Sequence, residues 1–136
     1  MSVDFEDYST QVKARLNEGI ITGLYHAAAE IQSQAADNSR VATGQLRKSW
    51  DYIVNEGAYE ATIGSPLENA IWEELGTGEY AAAGNGRKGG WSYQDDKGNW
   101  HHTRGKTPNH TLQRAFDRKK NTAIRLIIDA IKDALK

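Results

Sequence analysis

Cysteine is absent from this 136-residue chain, which excludes a disulfide framework, a thiol nucleophile and every thiolate zinc site. An intracellular folding environment is compatible with that absence. Long apolar runs are missing too: none approaches the roughly 20 residues that a helix needs to span a bilayer. Met1 to Asp7 holds three acidic residues and no basic one, so no positive start of a secretory signal is expected and synthesis in the cytoplasm is. Proline occurs only twice, at 66 and 108, and each marks a boundary between elements.

What is present fits a folded chain. Apolar residues make up 38% and charged residues 26%, a balance closer to a globular protein than to a disordered one. The length predicts a single domain over residues 1 to 136, large enough for a modest core. The net charge of −1 hides an asymmetry. Residues 1–68 carry a net −5 and residues 69–136 a net +4, with the densest basic region, net +6, from Arg87 to Lys120. Such a dipolar chain suits nucleic acid, and equally suits acidic and basic faces paired between subunits.

Phe5, Tyr8, Val12, Leu16, Ile20, Leu24, Ala28, Ile31 and Ala35 recur at steps of three and four, which predicts one long helix from about Asp4 to Ala36 with a single apolar stripe. Its length exceeds what a chain this size needs to cover its own core, so part of the stripe is available to another subunit. Gly19 and Gly23 mark a bend or a close contact. Thr43 suits the cap of a short turn through Leu46. Two period-two segments follow, from Ser49 to Asn55 and from Ala58 to Gly64, with Glu56-Gly57 as the hairpin turn. Glu68 to Leu75 reads as a short helix ended by Gly76 in a left-handed conformation.

Six of the 13 glycines fall between positions 76 and 90, predicting a mobile surface loop. Neither the phosphate-loop nor the dinucleotide pattern of glycines occurs there. A second hairpin is expected across Asp95-Asp96-Lys97-Gly98, with Trp91 and Tyr93 sharing one face. A last helix starts at Thr107-Pro108 and runs to the end, with Arg118 to Asn121 as a kink or a solvent-exposed turn. The expected fold is α+β: an antiparallel sheet of about four strands in two hairpins, packed by the long N-terminal helix and the C-terminal helix.

Candidate chemistry is thin. His101 and His102 are strand neighbours and point to opposite faces, so they do not share a metal ion. Glu73 and Glu74 diverge by about 100 degrees on a helix; they are not a catalytic pair, and solvated charge suits one of them. Ser49, His102 and Asp95 make a hydrolytic triad only on paper, because no Gly-x-Ser-x-Gly elbow surrounds the serine. No catalytic residue, cofactor, metal site or small-molecule substrate is expected. A stronger candidate is the basic, aromatic segment, where Arg87, Lys88, Trp91, Tyr93, Trp100 and His102 either stack bases while nearby cations neutralise phosphates or pack against a neighbouring subunit. The residues leave both open.

Three short motifs resemble one family. Thr43, Gly44, Leu46 and Ser49 fit a Thr-Gly-x-Leu-x-x-Ser element before a first strand. Glu74, Leu75, Gly76 and Thr77 fit an acidic-aromatic-Gly-Thr element before a glycine-rich loop, with Leu75 in the aromatic place. Pro108, Leu112, Ala115 and Phe116 fit Pro-x-x-x-Leu-x-x-Ala-Phe, although Gly105-Lys106-Thr107 replaces the usual aliphatic and proline residues before it. The order resembles the small tail-component family of tailed bacteriophages, the neck, tail-completion or minor capsid proteins. That resemblance implies a non-enzymatic part of the virion, made in the bacterial cytoplasm and placed at the head-to-tail junction. It also implies a ring of copies around the DNA channel, contacting connector and tail proteins, with DNA close by. A small nucleic-acid-binding module is the alternative, and a small hydrolase or toxin-like enzyme the third.

Overall fold

The computed structural model describes residues 6–40 and 44–136; Phe5 of the apolar stripe and Thr43 of the first motif lie outside them. Helix α1 (Ser9–Asn38) is followed by α2 (Gln45–Ser49), β1 (Asp51–Asn55), β2 (Glu60–Gly64) and α3 (Glu68–Leu75), then by a 3-10 turn, Gly78–Tyr80. Strands β3 (Trp91–Gln94) and β4 (Trp100–Thr103) precede the last helix, α4 (Thr111–Ala134). No helix among the described residues is long and apolar enough to cross a membrane.

Helices α1 and α4 form the body and run antiparallel. Gly19 lies at Ile131 and Ala134, Gly23 at Ile127, Glu30 at Lys119 and Asn38 at Thr111. The two glycines mark a close contact, and α1 is one uninterrupted helix through both. A β-carbon on Gly23 would sit 2.6 Å from the Ile127 Cα, and one on Gly19 2.8 Å from the Ile131 Cα. Hydrogen in place of a side chain lets the two backbones approach. Alanine dominates the core for the same reason: Ala27, Ala35, Ala70, Ala115 and Ala123 cluster with Ile31, Leu46 and Trp50. Trp50 is buried, and its indole nitrogen donates to Ser39 Oγ at 2.7 Å, so its one polar atom is satisfied.

The stripe on α1 divides into two parts. Ala28, Ile31 and Ala35 are buried, with Ile20 and Leu24 half-buried. Tyr8, Val12 and Leu16 are exposed, as is every described residue before Gly19, because α4 reaches its last turn beside Gly19.

Strands β1 and β2 lie on α1. Their register pairs Tyr52 with Ile63 and Val54 with Ala61, placing these four on the half-buried face. The turn is longer than expected: the Asn55–Glu60 pair closes a loop of four residues, and Tyr59 rather than Gly57 takes the positive φ, 54°. Asn55 Oδ1 accepts the Ala58 amide at 3.2 Å, which fixes this wider loop locally.

A single sheet of about four strands is not what forms. The two hairpins make two separate two-stranded antiparallel sheets. In the second hairpin the aromatic face of Trp91 and Tyr93 is engaged by Arg87 and His101 rather than by the first hairpin, and among the described residues no helix makes a substantial contact with it. Helix α4 also begins later than expected. His110 takes a left-handed φ of 49° and the helix starts at Thr111. The first-turn amides of Leu112 and Gln113 donate to Glu74 at 2.7 and 3.0 Å, so a distant carboxylate caps the helix in place of Thr107. Arg118 to Asn121 is a largely solvent-exposed turn of one continuous helix.

Candidate functional site

The β3–β4 hairpin stands clear of the helices as an arm. Its register, Trp91 with Thr103, Ser92 with His102, Tyr93 with His101 and Gln94 with Trp100, puts Trp91, Tyr93 and His101 on one face and Ser92, His102 and Trp100 on the other. The first face is held from within. Tyr93 stacks on His101 with ring centroids 5.3 Å apart, and Arg87 sits 5.7 Å over the Trp91 ring, a cation–π contact. The second face is open. Trp100 is 71% exposed, and His102 Nδ1 meets only Ser92 Oγ, at 3.4 Å.

Asp95 organises the tip. Its Oδ1 accepts the Lys97 and Asn99 amides at 2.9 and 2.8 Å, and its Oδ2 lies 2.7 Å from His101 Nε2. The His101 contact first, and the Asn99 amide next, hold its carboxyl below the usual aspartate range.

The base of the arm is a clasp. Thr77 and Lys106 exchange backbone hydrogen bonds at 2.8 and 3.3 Å, and the Glu79 amide donates to the Arg104 carbonyl at 2.9 Å. Gly78 and Gly105 lie back to back there, both with positive φ, where any β-carbon would strike the opposing backbone.

Beneath the clasp sits Glu73, only 3% exposed. It pairs with Arg40 at 3.0 Å and with Lys106, while its backbone carbonyl accepts the Asn109 amide. Burial, and secondly the Arg40 charge, hold Lys106 below lysine's ordinary range. Asn109 Nδ2 donates in turn to the Asn38 carbonyl and to Thr111 Oγ1. Arg40, Glu73, Lys106 and Asn109 thus tie the end of α1 to α3 and to the start of α4. Their association carried no sequence signal, because the partners of Glu73 lie far from it along the chain. The solvated-charge reading fits neither glutamate: Glu73 is buried in ion pairs and Glu74 caps α4.

The motif residues fall into two groups. Gly76, Thr77 and Pro108 meet at the clasp, where Gly76 lies against the Pro108 ring, and Glu74 reaches Leu112 next to it. Gly44, with φ 79°, opens α2, Leu46 joins Ala115 in the core, and Ser49 Oγ meets Ser65 Oγ at 2.6 Å. Phe116 is half exposed. The paper triad is not assembled, since Ser49 pairs with Ser65, His102 with Ser92 and Asp95 with His101. Among the described residues no group of three or more His, Asp or Glu could hold a metal ion.

One further surface stands out. A groove of about 530 Å³ opens between α1, α4 and β2, floored by Leu24, Ile31, Ile63 and Ile127 and edged by Phe116 and Ile124.

No curated protein and no solved structure matches the chain. Residues 4–83, more than half of it, match the family described as Bacteriophage HK97-gp10, putative tail-component. The match contains the motifs at Thr43 and Glu74 and ends before the arm and α4. The chain belongs to the HK97-gp10-like family of bacteriophage tail components, structural proteins of the virion.

Proposed function

We propose that this chain completes the head-to-tail junction of its phage, assembling with connector and tail proteins as a ring around the DNA channel and catalysing no reaction. Within the family, the observation that carries this reading is the arm. A two-stranded hairpin is marginal in water on its own, and this one holds Trp100 and Tyr93 to solvent without a helix behind them. Surfaces of that kind belong in contacts with other chains. In this reading the whole chain acts as one domain. The glycine segment 76–90 beyond its clasp is the adaptable part, and Arg87, Lys88, Trp91, Tyr93, Trp100 and His102 form the docking face. The two-helix body is the scaffold.

Deleting the gene and imaging the lysate by electron microscopy tests the role. Separate filled heads and tails, rejoined on complementation, are expected; infectious virions without the protein would remove it.

A second reading has one observation in its favour, the exposed Trp100 on an arm preceded by Arg87, which sits over Trp91, and Lys88. Such an arm can stack a base beside neutralised phosphates. Against it, Lys106 and Lys119 in the basic region are already engaged by Glu73 and Glu30. A steep fall in DNA affinity with salt would favour this reading.

A further inference from the structure

We infer that the arm tip of one copy seats in the α1–α4–β2 groove of a neighbouring copy, with Trp100 entering the apolar floor and Asp96 meeting Lys120 on the rim. This rests on the ring reading and supplies its contact surfaces.

Three observations converge on a second copy as the occupant. The first is shape and polarity. The groove's volume of about 530 Å³ is in the range that takes one large anchoring group. Its lining is mostly aliphatic with Phe116, its polar members being Glu74, Gln113 and Lys120, and Phe116 and Ile124 are half exposed at its edge. The anchor on offer is Trp100, 71% exposed at the end of a strand that no helix covers. Buried tryptophans are the commonest strong anchors of protein interfaces.

The second observation is charge. Asp96 at the tip and Lys120 on the rim have no ion-pair partner among the described residues. Of the charges beside them, Asp95 is engaged by His101 and Lys119 by Glu30, while Lys97 at the tip has no ion-pair partner among the described residues either. Asp96, beside Lys97 at the tip, can therefore pair with Lys120 on the rim of another copy, while Glu74 of the groove is held by the Leu112 and Gln113 amides.

The third is topology. Arm and groove are different surfaces of one chain, so their contact is head-to-tail. Repeated through a fixed rotation, such a contact closes into a ring when that rotation divides a full turn.

The natural chain has no cysteine, so introduced thiols report without background. One allele carries Lys97→Cys at the tip and a second carries Gln113→Cys on the groove. Both are expressed with distinguishable tags during phage growth, and assembled tails are purified and oxidised. A disulfide between the two tagged chains is expected. Trp100→Ala should lower its yield by about tenfold, as loss of an anchor does, while Trp100→Phe keeps most of it. Asp96→Lys should weaken the link, and adding Lys120→Asp should restore it.

Three outcomes would overturn the inference: rings visible in the tails without the mixed disulfide; closure of both cysteines within one chain when they are placed together; or capture of the groove cysteine by Val12→Cys, which would give the groove to the projecting end of α1. Particles that join without this protein would instead overturn the junction role itself. Among the described residues no helix makes a substantial contact with the arm, so the thermal midpoint of Trp100→Ala should match that of the unmodified chain, which separates lost docking from lost folding.

Discussion

Glu73 illustrates how much a single side chain organises at the joint between the body and the arm. Its carboxylate is buried while Arg40 and Lys106 remain 41% and 47% exposed, so removing its charge leaves two cations that water can reach. Glu73→Gln should therefore cost about 1–3 kcal/mol, short of the penalty for stranding a buried ion. Urea unfolding checks this. Lys106→Met should cost less, because burial already disfavours its charged form. Asp95 makes the opposite case at the tip. Its carboxyl is held below the ordinary value by His101 and the Asn99 amide, so the order it confers is complete above the unfolded-state pKa of about 3.9 and is lost as pH falls through the lower folded value. Arm resonances, Trp100 included, should disperse at neutral pH and collapse in acid before those of Trp50. Asp95→Asn should loosen the tip already at neutral pH. Identical acid profiles for Asp95→Asn and the unmodified chain would show that this carboxylate does not hold the turn.

Elements differ in how far local residues dictate them. The period of α1 was readable from Tyr8 to Ala35, since apolar residues at steps of three and four admit no other regular structure. Strands β1 and β2 were readable from alternation, and α3 from Glu68 to Leu75 matched its sequence limits because Gly76 closes it locally. The start of α4 was not readable. Its cap is Glu74, brought there by tertiary structure, and no residue beside Thr111 signals it. Separation of the hairpins was equally hidden, because alternation shows that strands exist and not which edges meet. In the site, the shared face of Trp91 and Tyr93 and the opposed histidines followed from strand period, whereas the clasp and the buried Glu73 depend on contacts far apart in the chain. The glycines of α1 yield a prediction of sign. Alanine gains about 1 kcal/mol over glycine in an exposed helix, yet at Gly23 its methyl would meet the Ile127 backbone. Gly23→Ala should thus destabilise by about 1–3 kcal/mol, with Gly19→Ala similar, seen as a lower urea midpoint; a raised midpoint would mean that the helices part easily.

At the scale of the molecule, order should follow burial. The first turns of α1, to about Glu18, are exposed along their whole length, and a short unsupported helix is marginal in water. Amides of residues 12–18 should exchange faster than those of 23–36 in the free protein and slow on assembly, as hydrogen exchange with mass spectrometry would record. Thr77, Glu79 and Lys106 should be protected even in the free chain, while residues 82–90 exchange quickly; uniform exchange from 76 to 106 would mean that the clasp is not formed in solution. The clasp has a mechanical consequence. The chain enters the arm region at residues 77–79 and leaves it at 104–106, two segments hydrogen-bonded to each other, so a load on the tip acts as a lever about Gly78 and Gly105. Its torque reaches Thr77 and Lys106, and from there Glu73, Glu74 and the first turn of α4. Pulling at one end of such a lever strains the other within the same chain, so tension at the arm is felt at the helical body.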